Sequence, residues 1–319
     1  MNEMANKKRL NVHLYVTPLC NLACKHCYYN AKSREIFSGR LLTILEMKEI
    51  VTILSDSYAA AFDVEGGEFF LRPDIDELFE VVPSHYWNNI TITTNGTVNV
   101  GIDPKHLRCL DEFRISVEGH TDELQHDIRG INLSPVLETC LHLHSNRVPV
   151  TLRITLHKKN YKYLPEMIEK FIALGFTKFS MYEFQPVGQG YSYRNEYSLN
   201  QLEIEKIFNL LLSFTNYEKI ELLKLSLSRK RIPIVTTYRS KFVRIGYNVA
   251  DLSGISSLTI NYNGEIGICP WNVGDDVIGL FYKDDFKTDI SKYVERGLFN
   301  HFCDYCSAIR IIYQQPKGN

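Results

Sequence analysis

The sequence TPLCNLACKHCYYN, at residues 17–30, contains three closely spaced cysteines, Cys20, Cys24 and Cys27. The spacing Cys-x3-Cys-x2-Cys is short enough for one loop to surround one metal centre. A structural zinc site takes four protein ligands in tetrahedral geometry. A cubane iron–sulfur cluster also usually takes four thiolates, so three thiolates leave one iron open to another molecule. The stretch therefore predicts a metal-binding loop, with an iron–sulfur cluster and a zinc site as the alternatives.

A second motif, VEGGE at residues 64–68, follows a short apolar run at residues 61–64 that predicts a strand. Glycines at the end of a strand let the backbone approach another group closely. Together the two motifs resemble those of radical S-adenosylmethionine (SAM) enzymes. In that family the open iron chelates the amino and carboxylate groups of SAM. The resemblance implies that Gly66, Gly67 and Glu68 hold the methionine amino group.

Two further stretches resemble cofactor-binding segments of the same family, RISVEG at residues 114–119 and HDIRG at residues 126–130. The resemblance implies that Ser116 hydrogen-bonds SAM and that Arg129 pairs with its carboxylate, a role that suits a planar guanidinium. It also implies that His26 contacts the adenine. Two alternatives stay open: a surface ion pair of Arg129 with a neighbouring aspartate, and a hydrogen bond or direct ligation of His26 to the cluster.

The composition excludes several classes of function. The chain has 319 residues, 45% of them hydrophobic, and a formal net charge of −1. This length allows one large domain with a smaller appendage. A net charge near zero gives no electrostatic support for binding nucleic acid or an anionic membrane. There is no apolar run as long as a membrane span and no apolar signal core after the charged start, so we expect a cytoplasmic protein.

Strand-like and helix-like stretches alternate over residues 1–215, which predicts parallel βαβ units. Thr43 and Glu46 form a capping box that predicts the start of a helix. We expect an α/β fold, a partial (β/α)6 TIM-like barrel, which the family resemblance also implies. Reactive groups in parallel barrels lie at the C-terminal ends of the strands. The six expected strands are at residues 11–17, 61–64, 90–94, 113–117, 148–156 and 178–182.

The C-terminal part of the chain contains a second group of cysteines. Cys269 follows a hairpin signal, and Cys303 and Cys306 form a close pair. Residues 250–319 resemble the SPASM and Twitch extensions of radical SAM enzymes, which hold auxiliary iron–sulfur clusters. We therefore expect a radical SAM barrel at 1–215, a connecting region at 216–249 and the extension at 250–319.

The extension has fewer cysteines than the full SPASM pattern, so we expect one auxiliary iron–sulfur cluster with Cys269, Cys303 and Cys306 as ligands. Alignment with the Twitch pattern puts Asp251 in the place of its first cysteine. A carboxylate can ligate iron, although it is a harder ligand than thiolate. The alternatives are an iron left open for substrate or water and a zinc site built on the three cysteines.

The resemblance implies reductive cleavage of SAM to a 5′-deoxyadenosyl radical and methionine. Radical SAM enzymes with such extensions largely act on peptides and proteins. This predicts hydrogen abstraction from a ribosomally made peptide that becomes crosslinked, epimerised or oxidised. The alternative is a dehydrogenase or epimerase of a small metabolite such as an aminosugar. Expected partners are the peptide and a flavodoxin or ferredoxin as electron donor. Only nineteen residues precede Cys20, so we expect leader recognition to need a partner or another surface.

Overall fold

The computed structural model describes residues 7–29, 31, 38–98, 101, 103–213, 220–228, 238–239, 243–247, 255–267, 277–282, 290–296 and 307–314. Within these ranges the chain forms one continuous sheet with helices packed against it. The strands are β1 (Arg9–Tyr15), β2 (Ala59–Glu65), β3 (Ile90–Thr94), β4 (Glu112–Ser116), β5 (Val150–Leu156), β6 (Lys178–Glu183), β7 (Leu222–Ser228), β8 (Tyr238–Arg239), β9 (Val243–Tyr247), β10 (Ile255–Ile260), β11 (Glu265–Gly267), β12 (Gly279–Leu280) and β13 (Ser307–Gln314).

In chain order the helices lie mainly between the parallel strands, because two parallel neighbours need a crossover connection. They are α1 (Ile44–Ser57), α2 (Asp76–Val81), α3 (Pro104–Leu107), α4 (Asp122–Arg129), α5 (Leu133–Ser145), α6 (Leu164–Ala173), α7 (Arg194–Tyr197), α8 (Gln201–Ser213) and α9 (Ser291–Arg296). None of the helices in the described part of the chain has the length and apolar character of a membrane span.

The centre of the sheet is parallel. Strands β1 to β7 lie side by side in chain order, each paired in parallel with the next. Strand β10 adds to the free side of β1, also in parallel. The remaining strands extend the two edges of the sheet in antiparallel pairs. The expected α/β fold with a parallel sheet is confirmed, and all six expected strands form within a few residues of their predicted bounds.

Helix α1 starts where the capping box predicted. The Thr43 hydroxyl accepts a hydrogen bond from the Glu46 amide at 3.2 Å, and the Glu46 carboxylate accepts one from the Thr43 amide at 2.8 Å. These bonds satisfy two amides that have no partner within the helix. The face of α1 that carries Met47, Ile50 and Leu54 is fully buried in the main core, between the helices and one face of the sheet.

The opposite face of the sheet is polar and curves inward. Arg114 on β4 contacts Asp63 on β2 at 2.7 Å, and Arg153 on β5 contacts Glu65 on β2 at 3.1 Å. In a flat sheet β2 and β5 would lie about 14 Å apart, since neighbouring strands are about 4.8 Å apart. The contact between their side chains is explained by curvature of the sheet around its polar face, as in a partial barrel. In closed TIM barrels the interior is instead filled with branched apolar residues.

Strands β7 to β13 all lie outside the predicted barrel yet join the same sheet, and two of them, β7 and β10, pair in parallel with strands of the barrel. Strand β7 lies in the predicted connecting region and pairs with β6, and β10 lies in the predicted extension and pairs with β1. The predicted boundaries near residues 215 and 250 therefore do not coincide with breaks in the sheet. The division of the chain into domains stays a prediction.

Candidate functional site

A cavity opens at the C-terminal ends of β1 to β6, with about 850 Å³ of empty space including its open mouth. This is the edge at which parallel barrels place their reactive groups. The loop after β1 supplies the cysteines, the end of β2 the two glycines, and β4 and α4 the serine and arginine. The predicted site residues that line the cavity are Cys20, Cys24, His26, Cys27, Gly66, Gly67, Ser116 and Arg129.

The cysteine loop is held by hydrogen bonds to backbone carbonyls. The Cys27 amide donates to the Cys24 carbonyl at 3.1 Å, and the Cys24 thiol donates to the Arg129 carbonyl at 3.9 Å. Burial raises the pKa of Cys20 to about 11, although the Leu22 amide opposes this shift. Burial also raises the pKa of Cys24, against the effect of Arg129. A bound cation would oppose this effect of burial, because it stabilises the thiolate, which is the form that binds metal.

The three cysteines of the cavity have the donor chemistry of an iron–sulfur cluster. Among the described residues, no three His, Cys, Asp or Glu side chains are placed to hold one metal ion together. Zinc requires its protein ligands on one atom. A cubane instead offers a separate iron to each thiolate, so its ligands stand further apart. Three thiolates that line one cavity are a donor set that fits a cubane with one open iron.

The Gly-Gly-Glu segment packs directly on the cysteine loop. The Gly67 amide donates to the Thr17 carbonyl at 2.8 Å, and the Glu68 amide donates to the Leu19 carbonyl at 2.6 Å. A Cβ atom on Gly67 would lie 2.0 Å from the Leu19 carbonyl oxygen, and one on Gly66 would lie 2.5 Å from that of Thr17. The close approach that requires glycine here is therefore to the chain's own backbone. Contact with SAM stays a prediction.

The Glu68 side chain is fully buried beneath the cavity wall. Its carboxylate accepts hydrogen bonds from the Thr94 hydroxyl at 2.6 Å and the Asn95 amide at 2.7 Å. Both partners line the cavity, and the Asn95 side-chain amide lies 3.8 Å from the Cys20 sulfur. Glu68 therefore joins the end of β2 to the end of β3, beside the first cysteine. Its predicted bond to the methionine amino group is not tested by these contacts.

Glu118 is a central residue that the sequence analysis did not assign. It is 1% exposed. Its Oε1 atom lies 3.2 Å from His26 Nε2 and 3.3 Å from Arg129 Nη1, and Oε2 accepts the Thr155 amide at 3.0 Å. Arg129 is therefore paired in the interior, whereas Asp127 forms a separate exposed pair with a lysine. One carboxylate orients the two side chains that the resemblance assigns to adenine and carboxylate binding.

Several buried polar atoms of the cavity wall have no hydrogen-bond partner among the described residues. They belong to side chains that line the cavity: His26 Nδ1, Thr93 Oγ1, Arg129 Nε and Gln185 Oε1. Leaving such a group unpaired costs about 1–3 kcal/mol, so each favours a polar ligand. Arg129 offers a donor suited to a carboxylate. With Nε2 donating to Glu118, His26 offers an acceptor suited to an amino group, so the wall fits SAM.

The far wall of the cavity, formed by Glu65, Arg153 and Tyr182, carries charge and was not predicted. The Arg153 guanidinium contacts Glu65 and lies 5.0 Å from the centre of the Tyr182 ring. His13 contacts the same carboxylate at 3.2 Å. Burial alone would raise the pKa of Glu65, but its contacts with His13 and Arg153 outweigh burial and lower this pKa. Glu65 is therefore ionised at neutral pH. Polar residues at strand ends were the signal that could have identified this wall.

The expected auxiliary site cannot be placed. Cys269, Cys303, Cys306 and Asp251 lie outside the described residues. The auxiliary iron–sulfur cluster and its ligands therefore stay a prediction.

Replacing Glu118 with glutamine should weaken SAM binding by about tenfold to a hundredfold while leaving the iron content unchanged. The change removes the charge that holds Arg129 and His26, and hydrogen bonds to charged groups contribute about 1.5–3 kcal/mol. Affinity is measured by anaerobic calorimetric titration of SAM. Asp122→Asn is the matched control, because that exposed carboxylate bonds to Ser134 away from the cavity. Equal affinities for Glu118→Gln and the parent would contradict the assignment.

Comparison with other proteins places these features in a family. Residues 14–171 match the family model described as the Radical SAM superfamily. The chain is 21% identical over 309 residues to the antilisterial bacteriocin subtilosin biosynthesis protein AlbA of Bacillus subtilis strain 168, covering 93% of this chain and 64% of AlbA. It is 23% identical over 302 residues to a probable GTP 3′,8-cyclase of Methanococcus aeolicus, covering 89% of this chain and 96% of that protein.

Two solved structures share the fold. SuiB of Streptococcus suis, bound to its precursor peptide SuiA, superposes with a TM-score of 0.71 at 16% identity, covering 90% of this chain and 66% of SuiB. The enzyme anSMEcpe with bound AdoMet gives a TM-score of 0.60 at 15% identity, covering 91% of this chain and 84% of that one. The chain thus spans just under two thirds of the length of AlbA and SuiB. Proteins of this superfamily use a [4Fe–4S] cluster and SAM.

Proposed function

We propose that this chain, whose residues 14–171 form a radical SAM domain, modifies a ribosomally made peptide. The observation that carries the proposal is the match to AlbA, a bacteriocin biosynthesis protein, along 93% of this chain. The shared fold with SuiB, whose structure contains a precursor peptide, is consistent with the same class of substrate. The modification would be a crosslink, an epimerisation or the oxidation of a side chain.

The residues of the cavity divide into two groups in this proposal. Cys20, Cys24 and Cys27 hold the cluster, and the wall near Ser116 and Arg129 binds SAM. When bound, SAM supplies the 5′-deoxyadenosyl radical that abstracts hydrogen. Cys24 and Arg129 are buried, which limits the access of water to these groups.

The far wall is left for the substrate. Arg153, held by Glu65 and by the Tyr182 ring, lines the cavity. Because Glu65 neutralises Arg153, this pair favours a neutral hydrogen-bond acceptor, such as a peptide carbonyl, over a second carboxylate. The open mouth of the cavity gives a flexible segment access to this wall.

A second candidate is a reaction on a nucleotide, which belongs to the small-molecule class. The match to the probable GTP 3′,8-cyclase of Methanococcus aeolicus favours it, since it covers 96% of that protein. The two proposals differ in the chemical group that should bind the far wall of the cavity. A nucleoside triphosphate would need several cations on that wall, whereas Arg153 is already paired with Glu65.

Coexpression with short reading frames from the same genomic neighbourhood tests the two candidates. The peptide proposal predicts that one encoded peptide changes mass when produced with the protein, and keeps its mass with a Cys24→Ala variant. Purified, reconstituted protein is incubated in parallel with GTP, SAM and a reductant. Consumption of GTP together with unchanged peptides would favour the nucleotide reaction and contradict the peptide proposal.

An auxiliary iron–sulfur cluster and an electron donor complete the proposal. The three later cysteines would hold the cluster, with Asp251 or an open iron at the fourth position. A flavodoxin or ferredoxin would supply the electron for SAM cleavage. Support for the cluster comes only from the grouping of Cys269, Cys303 and Cys306 in the sequence.

A further inference from the structure

Near its end the cysteine loop carries an aromatic residue that contacts the end of β1 and the turn after β10. Tyr29 lies two residues after Cys27. Its ring is stacked on that of Tyr15, at the end of β1, with ring centres 4.5 Å apart and an angle of 2° between the planes. Its hydroxyl donates to Asn261 Oδ1 at 3.0 Å. The stack restricts the plane of the ring, and the hydrogen bond restricts its position within that plane.

Asn261 is a rigid acceptor. It follows β10 directly, and its backbone amide donates to the Glu265 carbonyl at 2.8 Å. Its carbonyl accepts the Gly264 amide at 2.8 Å, which closes the turn between β10 and β11. The Tyr262 amide donates to the same Oδ1 atom at 2.9 Å. The hydroxyl of Tyr29 therefore binds a side chain that the hairpin already holds in place.

The hairpin is itself joined to the barrel at two other places. Strand β10 pairs with β1 over residues 255–260. The Tyr262 carbonyl accepts the Leu42 amide at 2.6 Å, just before helix α1. The loop that carries the cysteines is thus anchored to a segment more than two hundred residues later in the chain.

We propose that Tyr29 is a positioning residue that holds Cys27 in place for the cluster, and that its anchor is Asn261 of the β10–β11 hairpin. The hairpin would then be part of the first cluster site, although sequence analysis assigned residues 250–319 to a separate extension. The inference concerns how the thiolate is placed and does not depend on which substrate the protein modifies.

Thiol reactivity of the cluster-free protein tests this placement. Tyr29→Phe keeps the stack but removes the hydroxyl, and Asn261→Ala removes the acceptor. Each variant should raise the alkylation rate of Cys27 by iodoacetamide about fivefold, as followed for each cysteine by mass spectrometry. The double variant should show the same Cys27 rate as either single variant, because both changes remove the same contact, the hydrogen bond from Tyr29 to Asn261. Exposed Cys109 serves as the internal standard, and its rate should not change.

A spectroscopic measurement on the loaded protein completes the test. In Tyr29→Phe the change that SAM causes in the electron paramagnetic resonance spectrum of the reduced cluster should become smaller at equal iron content. Tyr86→Phe is the matched control, because it removes a phenol hydrogen bond to Asp56 far from the loop. An unchanged Cys27 rate would overturn the proposal. An equal rise at Cys27 and Cys109, or additive effects in the double variant, would also overturn it, because these results indicate general loosening.

Discussion

Replacing Cys20, Cys24 and Cys27 together with alanine is expected to abolish SAM cleavage and to lower bound iron from about eight to about four atoms per chain, one cubane's worth. All three line the cavity, and burial raises the pKa of Cys20 to about 11. Thiolates in such a site need the positive charge of the irons. Without these cysteines the cluster that reduces SAM is lost, and the remaining irons belong to the auxiliary cluster. The measurements are iron analysis and chromatography of 5′-deoxyadenosine after anaerobic reconstitution and reduction.

Cys109→Ala is the control for this variant, because Cys109 is exposed and lies away from the cavity. It should retain both the iron and the cleavage activity. A triple variant that still formed 5′-deoxyadenosine would contradict the assignment of the cluster loop. About four irons in the parent, with zinc beside them, would contradict the auxiliary iron–sulfur cluster alone.

Gly67→Ala should displace the cysteine loop and prevent loading of the cluster, although it adds a single methyl group. The new Cβ would lie 2.0 Å from the Leu19 carbonyl oxygen and 2.9 Å from that of Pro18. Both contacts are with backbone, so no side chain can rotate away. We expect a loss of about 3 kcal/mol in the free energy of unfolding, at the upper end for overpacking. Urea unfolding and iron analysis measure the two effects.

Gly101→Ala is the matched control for Gly67→Ala, because a Cβ atom at Gly101 meets no atom within 4 Å. It should unfold at the same urea concentration as the parent and should load iron fully. If Gly67→Ala behaved like Gly101→Ala, the packing of the Gly-Gly-Glu segment on the cysteine loop would be wrong.

Local patterns predicted much of the fold. The strand at residues 90–94 has the predicted bounds, because a short run of β-branched residues ends at a turn signal, Asn95-Gly96. Helix α1 begins at its capping box, because the bonds of Thr43 and Glu46 involve only residues three apart. Both features depend on neighbours in sequence, which is why they could be predicted without knowledge of the partners.

The site was predicted only in part, for a related reason. The cysteines and glycines stand in short motifs, so their positions could be assigned. The role of Glu118 depends on His26 and Thr155, which other segments bring to it. The pairing of Arg153 with Glu65 requires curvature of the sheet between β2 and β5. Apolar and polar residues alternate in β5, which is a signal for a polar face, but this alternation does not identify the carboxylate that contacts the arginine.

The C-terminal strands show the same limit. Residues 255–260 are recognisable as a strand that precedes a hairpin, but nothing local determines that they pair with β1. Strand β7 likewise continues the parallel sheet from a region expected to be a connection. The choice of partner between strands far apart in sequence is decided by the packing of the whole sheet, so a local pattern cannot predict it.

The most direct test of the account follows hydrogen from the substrate to the cofactor. The peptide identified by coexpression is produced in deuterated medium, exchanged into ordinary water, and incubated with reconstituted protein, SAM and a reductant. The account predicts that the 5′-deoxyadenosine formed carries deuterium and that the peptide changes mass at a comparable rate. Formation of 5′-deoxyadenosine without deuterium, at the same rate with and without peptide, would contradict it.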